Sequence, residues 1–269
     1  MILFEEVTFW YRHDGAPAVD GFSLRIGDGE RVALVGPNGS GKSTVALLAD
    51  GLLLPARGRV LVDGLDTRDA SARDRVRSAV GLVLQNPENQ IVGATVEEDV
   101  AFGPENLALP PDEIRRRVNE AIDAVGLSGL ERREPHTLSE GQKQRLAIAG
   151  ALAMRARHLV LDEPTAMLDP AGRESVLDAV ARFRAEGGTV IHVTHDASEI
   201  ALCERAVCIR DGRLVFDGAS ADLLADAALM DALGIEPSPL AAVAKALSEA
   251  GVSVPPVPDV EEVVRALWR

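Results

Sequence analysis

The stretch Gly36-Pro37-Asn38-Gly39-Ser40-Gly41-Lys42-Ser43-Thr44 decides the fold of this chain. It stands between the apolar runs 32–35 and 45–48, so the sequence predicts a strand, a glycine-rich turn and the start of a helix. Such a turn lets consecutive backbone N–H groups point at phosphate oxygens, and the helix N-terminus adds further N–H groups. We expect Lys42 to reach the β- and γ-phosphates and the Ser43 hydroxyl to bind Mg²⁺. Every fixed position of the pattern is present, which favours a nucleoside triphosphate site over an ordinary glycine-rich turn.

The composition limits the class of protein. A chain of 269 residues with 46% hydrophobic residues can form one large domain, or one domain with an appendage. Its net charge is 28 − 42 = −14, which opposes the nonspecific attraction to phosphate on which nucleic-acid proteins rely, although a local basic patch remains compatible with it. No run approaches the roughly 18 consecutive apolar residues of a membrane span.

The first residues and the cysteines give a weaker indication of the compartment. Residues 1–6 contain no basic lead and no secretory apolar stretch, so we expect the chain in the cytosol or on the cytosolic face of a membrane. Cys203 and Cys208 are the only cysteines, and their spacing fits no common zinc pattern. We expect both to be small core residues.

The order of the patterns along the chain predicts an α/β fold. Alternating segments in the first thirty residues indicate an antiparallel β part, and apolar runs at 79–84, 158–162 and 189–194 are typical of buried parallel strands. Residues 86–157 lose strand character, which predicts a helical insertion in a mostly parallel sheet. From about residue 220 the chain becomes helical.

Three helices can be given limits from their capping residues. Asp112 is expected to cap a helix that ends at Gly126, and Ser139 to precede a second helix of the insertion. Asp169, followed by proline, is expected to cap a helix that runs to about Ala185.

The C-terminal segment is predicted to contain two further helices. Ser238 and the proline after it open the first, and Gly251 ends it; three prolines then form a stiff link. Asp259 and Glu262 form the start of a second helix that resembles a capping box. Its apolar stripe packs either on the chain's own core or on a partner subunit, and consists of Val260, Val263, Val264, Leu267 and Trp268.

Asp162 and Glu163 end a predicted buried strand, at the sheet edge that holds the phosphate loop. Asp162 is the expected partner of Mg²⁺, and Glu163 is expected to orient and polarise the attacking water. Taken alone, two acids at this place could simply begin the turn at Pro164. With the phosphate loop upstream, the catalytic interpretation is favoured.

Leu138-Ser139-Glu140-Gly141-Gln142 allows two interpretations. Ser139 and Gln142 form a capping box, which requires nothing beyond a helix start. The same helix N-terminus could also present its N–H groups and the Ser139 hydroxyl to a γ-phosphate. A Leu-Ser-x-Gly-Gln motif between a phosphate loop and an Asp-Glu strand end favours the second interpretation.

With these motifs, residues 1 to about 220 resemble the nucleotide-binding subunit of ATP-binding cassette (ABC) transporters. The resemblance implies that Tyr11 stacks on adenine and that Gln85 contacts Mg²⁺ and couples the site to a membrane partner. It implies that Asp169 makes contacts across a dimer and that His195 reaches the γ-phosphate. It also implies that ATP is bound with Mg²⁺, and the remaining nucleotide contacts are the phosphate loop with Ser139, Glu140, Gly141 and Gln142.

Glu140 departs from the family pattern, which most often has glycine there. A carboxylate suits a helix N-terminus, but this one would stand near a triphosphate. We therefore expect a weakened or asymmetric site.

A narrower resemblance rests on residues 85–92, 96–106 and 141–145 and on the C-terminal helices: the chain is similar to the ATPase of energy-coupling factor transporters, including the cobalt and biotin types. This implies import of a vitamin or a transition-metal ion, at the cytoplasmic face of the cell membrane, by a peripheral subunit. The implied partners are a second ATPase, identical or paralogous, a transmembrane coupling protein and a membrane substrate-binding protein, with no nucleic acid. The resemblance divides the chain into an ATPase domain at 1–220, with its insertion at 86–157, and a C-terminal extension at 221–269 that serves in dimerisation or docking. Four acids have two possible roles: they either bind arginines of the coupling helices or form a solvated charged surface. These acids are Glu88, Glu97, Glu98 and Asp99.

Two other classes remain as alternatives. The first is a soluble ABC-type ATPase acting on nucleic acid or on a protein assembly. Its repair and chromosome-structuring members would usually carry coiled-coil heptads between the phosphate loop and the Leu-Ser-x-Gly-Gln motif, and residues 45–137 contain none. A small-molecule kinase could use the same loop, but Ser139, Gln142 and His195 would then have no task.

Overall fold

A computed structural model describes residues 1–12, 15–235, 243, 246–247, 250, 252 and 260–268. Two sheets organise the chain. The first is antiparallel, with strand order β2-β1-β4-β5, and the second has the order β10-β9-β3-β8-β7-β6. The second sheet is parallel apart from β10. The strands are β1 (Ile2–Phe9), β2 (Val19–Ile26), β3 (Arg31–Val35), β4 (Arg57–Val62), β5 (Leu65–Asp66), β6 (Val80–Val83), β7 (His158–Asp162), β8 (Thr189–Val193), β9 (Arg205–Arg210) and β10 (Arg213–Ala219).

The central strands place the functional segments side by side. Every residue of β3, β7 and β8 is buried, as expected for apolar strands covered on both faces. Leu34 pairs with Val193, and Val193 with Asp162. Since these strands run parallel, their carboxyl ends meet at one edge, from which the chain enters the predicted ligand-binding turns.

Helix α1 (Lys42–Ala49) begins at the end of the glycine-rich turn and packs between the two sheets. Its buried residues join side chains of both sheets in one apolar core. Helix α2 (Arg73–Ala79) leads into β6. The predicted α/β class, with an antiparallel N-terminal part, is confirmed.

The predicted helical insertion is confirmed as α3 (Val96–Asn106), α4 (Pro111–Ala124) and α5 (Glu140–Ala153), which pack on one another around a second apolar core. The predicted cap of α4 is wrong. Pro110 takes the cap position, and Asp112 lies in the first turn, where proline at the first position and acidic side chains are both favoured.

Helix α6 (Pro170–Ala185) has the predicted cap, since Asp169 Oδ1 accepts a hydrogen bond from the Gly172 N–H at 2.9 Å. Strand β1 ends at Phe9. Tyr11 therefore follows the strand and is not part of it. Helix α7 (Ala197–Ile200) follows β8.

The C-terminal part begins with α8 (Ser220–Ala225) and α9 (Ala227–Leu233), which cover the β9 side of the second sheet. The helix predicted from residue 239 falls largely outside the described residues. The last predicted helix is present over Val260–Leu267, with Val263 buried and Val264 and Trp268 exposed. None of the helices within the described ranges has the length and apolar character needed to cross a membrane. Both cysteines are buried, and burial raises the pKa of Cys203 to about 11 and of Cys208 to about 12, so both thiols stay protonated.

Candidate functional site

The glycine-rich turn after β3 depends on close backbone approaches. A Cβ on Gly41, whose φ is +108°, would lie 2.4 Å from the carbonyl oxygen of Ala18. A Cβ on Gly36 would lie 2.1 Å from the carbonyl oxygen of Ile209. Both distances are far below contact, so only glycine fits the turn at these positions.

Lys42 is folded back across this turn. Its Nζ donates hydrogen bonds to the carbonyl oxygens of Gly36 at 2.8 Å and Pro37 at 3.0 Å. Burial lowers the pKa of Lys42, and the nearby carboxylates of Glu163 and Asp162 act in the opposite direction. The hydroxyl of Ser40 is also buried in this turn and has no hydrogen-bond partner within the described part of the chain. The turn thus offers an ammonium and an unmatched buried hydroxyl, a set that suits phosphate oxygens.

Tyr11 lies over the start of α1. Its hydroxyl is 3.2 Å from Thr44 Oγ1, and its ring packs edge-on against Phe9 with centroids 5.1 Å apart. The side chain nevertheless remains 62% exposed. An exposed ring beside the turn can stack on a planar ligand.

Asp162, at the end of β7, faces Ser43 at the start of α1. Burial raises the pKa of Asp162, and a hydrogen bond with the Ser43 side chain and the Lys42 charge counteract this shift. Asp162 is 4% exposed. Asp162 and Ser43 together offer a carboxylate and a hydroxyl oxygen, which are ligands of the kind that Mg²⁺ prefers.

Glu163 is in contact with two other predicted site residues. Its Oε2 accepts a hydrogen bond from Gln85 Nε2 at 2.8 Å, and its Oε1 is 3.5 Å from His195 Nδ1. The backbone of Glu163 has a φ of +48°, a left-handed conformation that is costly for a residue with a side chain. The Glu163 N–H donates to the carbonyl oxygen of Val193 at 3.0 Å, which holds this conformation against β8. Such strain is characteristic of functional sites.

The Ser139 motif lies apart from this cluster. Ser139 caps α5, since its Oγ accepts from the Gln142 N–H at 3.3 Å while Gln142 Oε1 accepts from the Ser139 N–H at 3.0 Å. Among the residues that the structure describes, no hydrogen bond joins this motif to the glycine-rich turn at 36–44, called the phosphate turn below. Ser139 and Glu140 are exposed. Gly141 packs closely on the chain before α6, with a hypothetical Cβ 3.0 Å from the Met167 carbonyl oxygen.

Lys143, which the sequence analysis did not single out, neutralises Glu140. Its Nζ lies 2.8 Å from Glu140 Oε1 and also contacts Glu88. The spacing of three residues between Glu140 and Lys143 on one helix could have indicated this pair. The carboxylate that departs from the family pattern therefore has a counter-ion within its own helix.

Two of the four acids considered for partner arginines are already engaged. Glu88 contacts Lys143, and Asp99 is buried with its Oδ1 accepting the N–H groups of Val92 and Gly93 at 2.7 and 2.8 Å. Asp99 is thus a structural residue, and its assignment to the partner surface is wrong. Glu97 and Glu98 remain exposed.

Glu199 was also missed by the sequence analysis. It is 1% exposed, accepts a hydrogen bond from Thr194 Oγ1 at 2.7 Å and lies 3.1 Å from His192 Nε2 and 3.0 Å from Arg173. Burial alone would raise the pKa of Glu199, but hydrogen bonds with His192, Thr165 and Thr194 lower it to about 2. This carboxylate connects the segments that carry Glu163 and His195.

A cavity of about 480 Å³ lies near the opposite, amino-terminal ends of β7 and β8. None of the predicted site residues lines it. Three of its arginines form ion pairs with acids: Arg117 with Glu113, Arg155 with Glu120 and Arg157 with Asp63. The chemistry is concentrated at the carboxyl ends of the strands.

The fold and the cluster at this sheet edge define a phosphate-loop ATPase of the cassette type. The family model for the ABC transporter matches residues 19–166, and the chain belongs to this family. The protein is an ATPase: it binds ATP, and its hydrolysis of ATP is coupled to transport.

Comparison with individual proteins narrows the family. The chain is 50% identical to the energy-coupling factor transporter ATP-binding protein EcfA1 of Symbiobacterium thermophilum, over 99% of this chain and 96% of that protein. It is similar to the solved structure of cbiO1 from Clostridium perfringens, described as part of the ABC transporter complex cbiONQ, with 35% identity, a TM-score of 0.76 and coverage of 93% of this chain and 96% of that one. A dimeric ATP-binding cassette in a post-hydrolysis state, bound to ADP and Pi, has 30% identity and a TM-score of 0.75, and covers 82% of this chain and 99% of that one.

Proposed function

We propose that this chain is the ATP-hydrolysing subunit of an energy-coupling factor importer and works as one half of an ATPase dimer at the cytoplasmic face of the membrane. The observation that carries the proposal is the division of the site. One subunit gathers the phosphate turn, Gln85, Glu163 and His195 at one sheet edge, while Ser139 lies on the helical insertion and, in the described part of the chain, hydrogen-bonds only to Gln142. A second ATPase subunit, identical or paralogous, would bring its own Ser139 to the γ-phosphate.

Each residue of the cluster has a role that follows from its position. Tyr11 would stack on adenine, and Lys42 would exchange its two backbone carbonyl partners for the β- and γ-phosphates. Glu163 would hold and polarise the attacking water, and His195, whose ring nitrogen faces Glu163, would contact the γ-phosphate. Asp169, exposed at the start of α6, would contact the partner subunit.

The residues around Asp162 suit a bound magnesium ion. Asp162, Ser43 and the side-chain oxygen of Gln85 would hold it, since all three provide hard oxygen ligands close to the phosphate turn. When bound, Mg²⁺ neutralises charge on the β- and γ-phosphates. The remaining nucleotide contacts would come from the backbone of the phosphate turn and, in the partner, from the Ser139 motif.

The surface beside α3 suits the membrane partner. Val92 and Phe102 are 63% and 52% exposed, and the nearby Glu97 and Glu98 are free to face cationic side chains. An amphipathic helix with apolar and arginine side chains would match this surface. We assign it to a transmembrane coupling protein, which acts together with a membrane substrate-binding protein to import a vitamin or a transition-metal ion.

We propose a boundary near residue 220 between the ATPase domain at 1–220 and the extension at 221–269. The dimeric cassette covers 82% of this chain, whereas cbiO1 covers 93%. This difference supports an extension that a basic cassette lacks. The exposed Val264 and Trp268 fit a dimerisation or docking role for the extension.

The soluble alternative is not favoured, because the relatives belong to transporters. The test is affinity purification of the tagged full chain from detergent-solubilised membranes, followed by mass spectrometry and ATPase measurement. We expect two membrane proteins and a second ATPase subunit to co-purify. Recovery with nucleic acid or with cytosolic proteins alone would overturn the proposal.

A further inference from the structure

The segment that follows β6 is a rigid unit. The Asn86 side chain accepts a hydrogen bond from the Glu88 N–H at 3.0 Å and so caps the short helical turn Pro87–Asn89. Gln90 closes the segment, with its side chain accepting from the Leu84 N–H at 2.7 Å and donating to the Leu82 carbonyl oxygen at 2.8 Å. These hydrogen bonds fix the position of Glu88 relative to the chain at Gln85, three residues earlier.

Gln85 connects this segment to the nucleotide site of its own subunit. Its amide donates to Glu163 at 2.8 Å, and Glu163 contacts His195. A displacement of Gln85 would change the position of the carboxylate that holds the attacking water.

Lys143 connects the same segment to the half of the site that serves the partner subunit. Its side chain is 10% exposed, and the ammonium contacts Glu88 as well as Glu140. The neighbouring carboxylates of Glu140 and Glu88 raise the pKa of Lys143, which keeps it charged. Lys143 lies one helical turn from Ser139, at the N-terminus of α5.

We propose that the Glu88–Lys143 pair is a tether between the two ATP sites of the dimer, in which Lys143 acts as a positioning residue. This inference rests on the proposed function. Within one subunit, Gln85 belongs to one ATP site and Ser139 to the other. The tether crosses between them, so γ-phosphate binding at Ser139 changes the position of Gln85 and Glu163 at the second site.

The tether predicts cooperative ATP hydrolysis in the assembled complex. The test measures phosphate release against ATP concentration for wild type, Lys143→Met, Lys143→Arg, Glu88→Gln and the double variant Lys143→Met/Glu88→Gln. We expect Lys143→Met and Glu88→Gln each to bring the Hill coefficient close to 1 and to lower kcat by about tenfold, with less than about a twofold change in the half-saturating ATP concentration. The double variant should be no worse than Lys143→Met alone, because Lys143→Met already removes the contact with Glu88 together with the one to Glu140.

Two controls separate positioning from general damage. Lys143→Arg should keep the Hill coefficient, since arginine also provides a charged donor that reaches both acids. Glu120→Gln breaks an ion pair with Arg155 elsewhere in the insertion and should change nothing. Because Glu88 is exposed, Glu88→Gln tests the tether even where Lys143→Met folds poorly.

The outcomes distinguish this inference from the proposed function. A wild-type Hill coefficient of 1, additive single variants, or unchanged cooperativity in Glu88→Gln would overturn the tether while leaving the dimeric ATPase intact. A complex whose ATP turnover needs no second subunit would overturn the proposed function itself.

Discussion

At the scale of single residues, the strained backbone of Glu163 and its two side-chain contacts fix one carboxylate near the phosphate turn. In the proposed role, the charge of that carboxylate polarises the attacking water, so Glu163→Gln should reduce ATP hydrolysis by about 10² to 10⁴-fold. ATP binding should stay within about threefold, because the phosphate turn is unchanged. Phosphate release and fluorescent-nucleotide titration of the assembled complex measure the two quantities. The exposed Glu186→Gln serves as a control, and normal turnover in Glu163→Gln would show that another group is the base.

Substitution of Glu140 tests whether its carboxylate weakens the proposed triphosphate site. Lys143 compensates part of its charge at 2.8 Å, so the remaining repulsion is modest. Glu140→Gly should raise ATP turnover in the full complex by about twofold to fivefold, the equivalent of one charge near a helix N-terminus. Glu140→Gln removes the charge but keeps the side chain, and should give most of the same increase. Unchanged turnover in both variants would mean that Glu140 does not weaken the site.

What the sequence could predict is which candidate residues the fold brings to one place. Gln85, Glu163 and His195 follow buried strands and Asp162 ends one, and the ends of these parallel strands meet at one sheet edge. The partnerships among these residues were less predictable. The contact between Glu88 and Lys143 joins positions 55 residues apart, and only the packing of α5 on the segment after β6 brings them together.

At the scale of elements, predictions succeeded where local chemistry sets a boundary. The cap of α6 by Asp169 and the capping box of α5 are local hydrogen bonds that the sequence contains. Asp112 failed as a cap because Pro110 and the proline after it already fix the entry into α4. The network around Glu199 could not be predicted, since its partners come from four separate elements and loops.

Helix α1 carries an unfavourable acid at its C-terminal end. Asp50 is 7% exposed, and burial raises its pKa to about 7, against a smaller opposing effect of Arg77. The carbonyl end of the helix also disfavours a negative charge. Because the pKa is raised in the folded state, the unfolded chain loses this proton near pH 4 while the folded chain keeps it to about pH 7. Asp50 therefore reduces stability increasingly as pH rises from about 4 to 7, and the loss is complete above that range.

Asp50→Asn should consequently stabilise the protein. The gain in free energy of unfolding should be of order 2 kcal/mol at pH 8 and roughly half as large at pH 5.5. Thermal unfolding of the full chain at both pH values measures the change, and the exposed mid-helix substitution Asp178→Asn is the control. A gain that is independent of pH would show that ionisation of Asp50 is not the cause.

At the scale of the whole molecule, the sheet edge and the insertion face divide the candidate catalytic groups between them. The first presents the phosphate turn and Glu163, and the second presents Ser139 at a helix N-terminus. In the proposed function, one subunit supplies two complementary halves of a site, which fits closure of two subunits on ATP followed by opening after hydrolysis.

This division predicts that a catalytically impaired subunit can still activate its neighbour. The test dilutes the wild-type chain until ATP hydrolysis is slow and then adds an excess of the Glu163→Gln subunit. Where the second ATPase is a paralogue, the wild-type complex is used in place of the wild-type chain. We expect a burst in which about one phosphate is released per wild-type subunit, because the Glu163→Gln subunit still supplies Ser139.

The controls change Ser139 in the added Glu163→Gln subunit, here called the donor. Donors that also carry Ser139→Asp should give no burst, since aspartate keeps the helix cap but repels the γ-phosphate. Donors with Ser139→Thr, which keeps both cap and hydroxyl, should give the burst. Equal bursts from the Asp and Thr donors would exclude Ser139 as the group supplied across the dimer, and full-speed hydrolysis by the diluted wild type alone would show that one subunit holds a complete site.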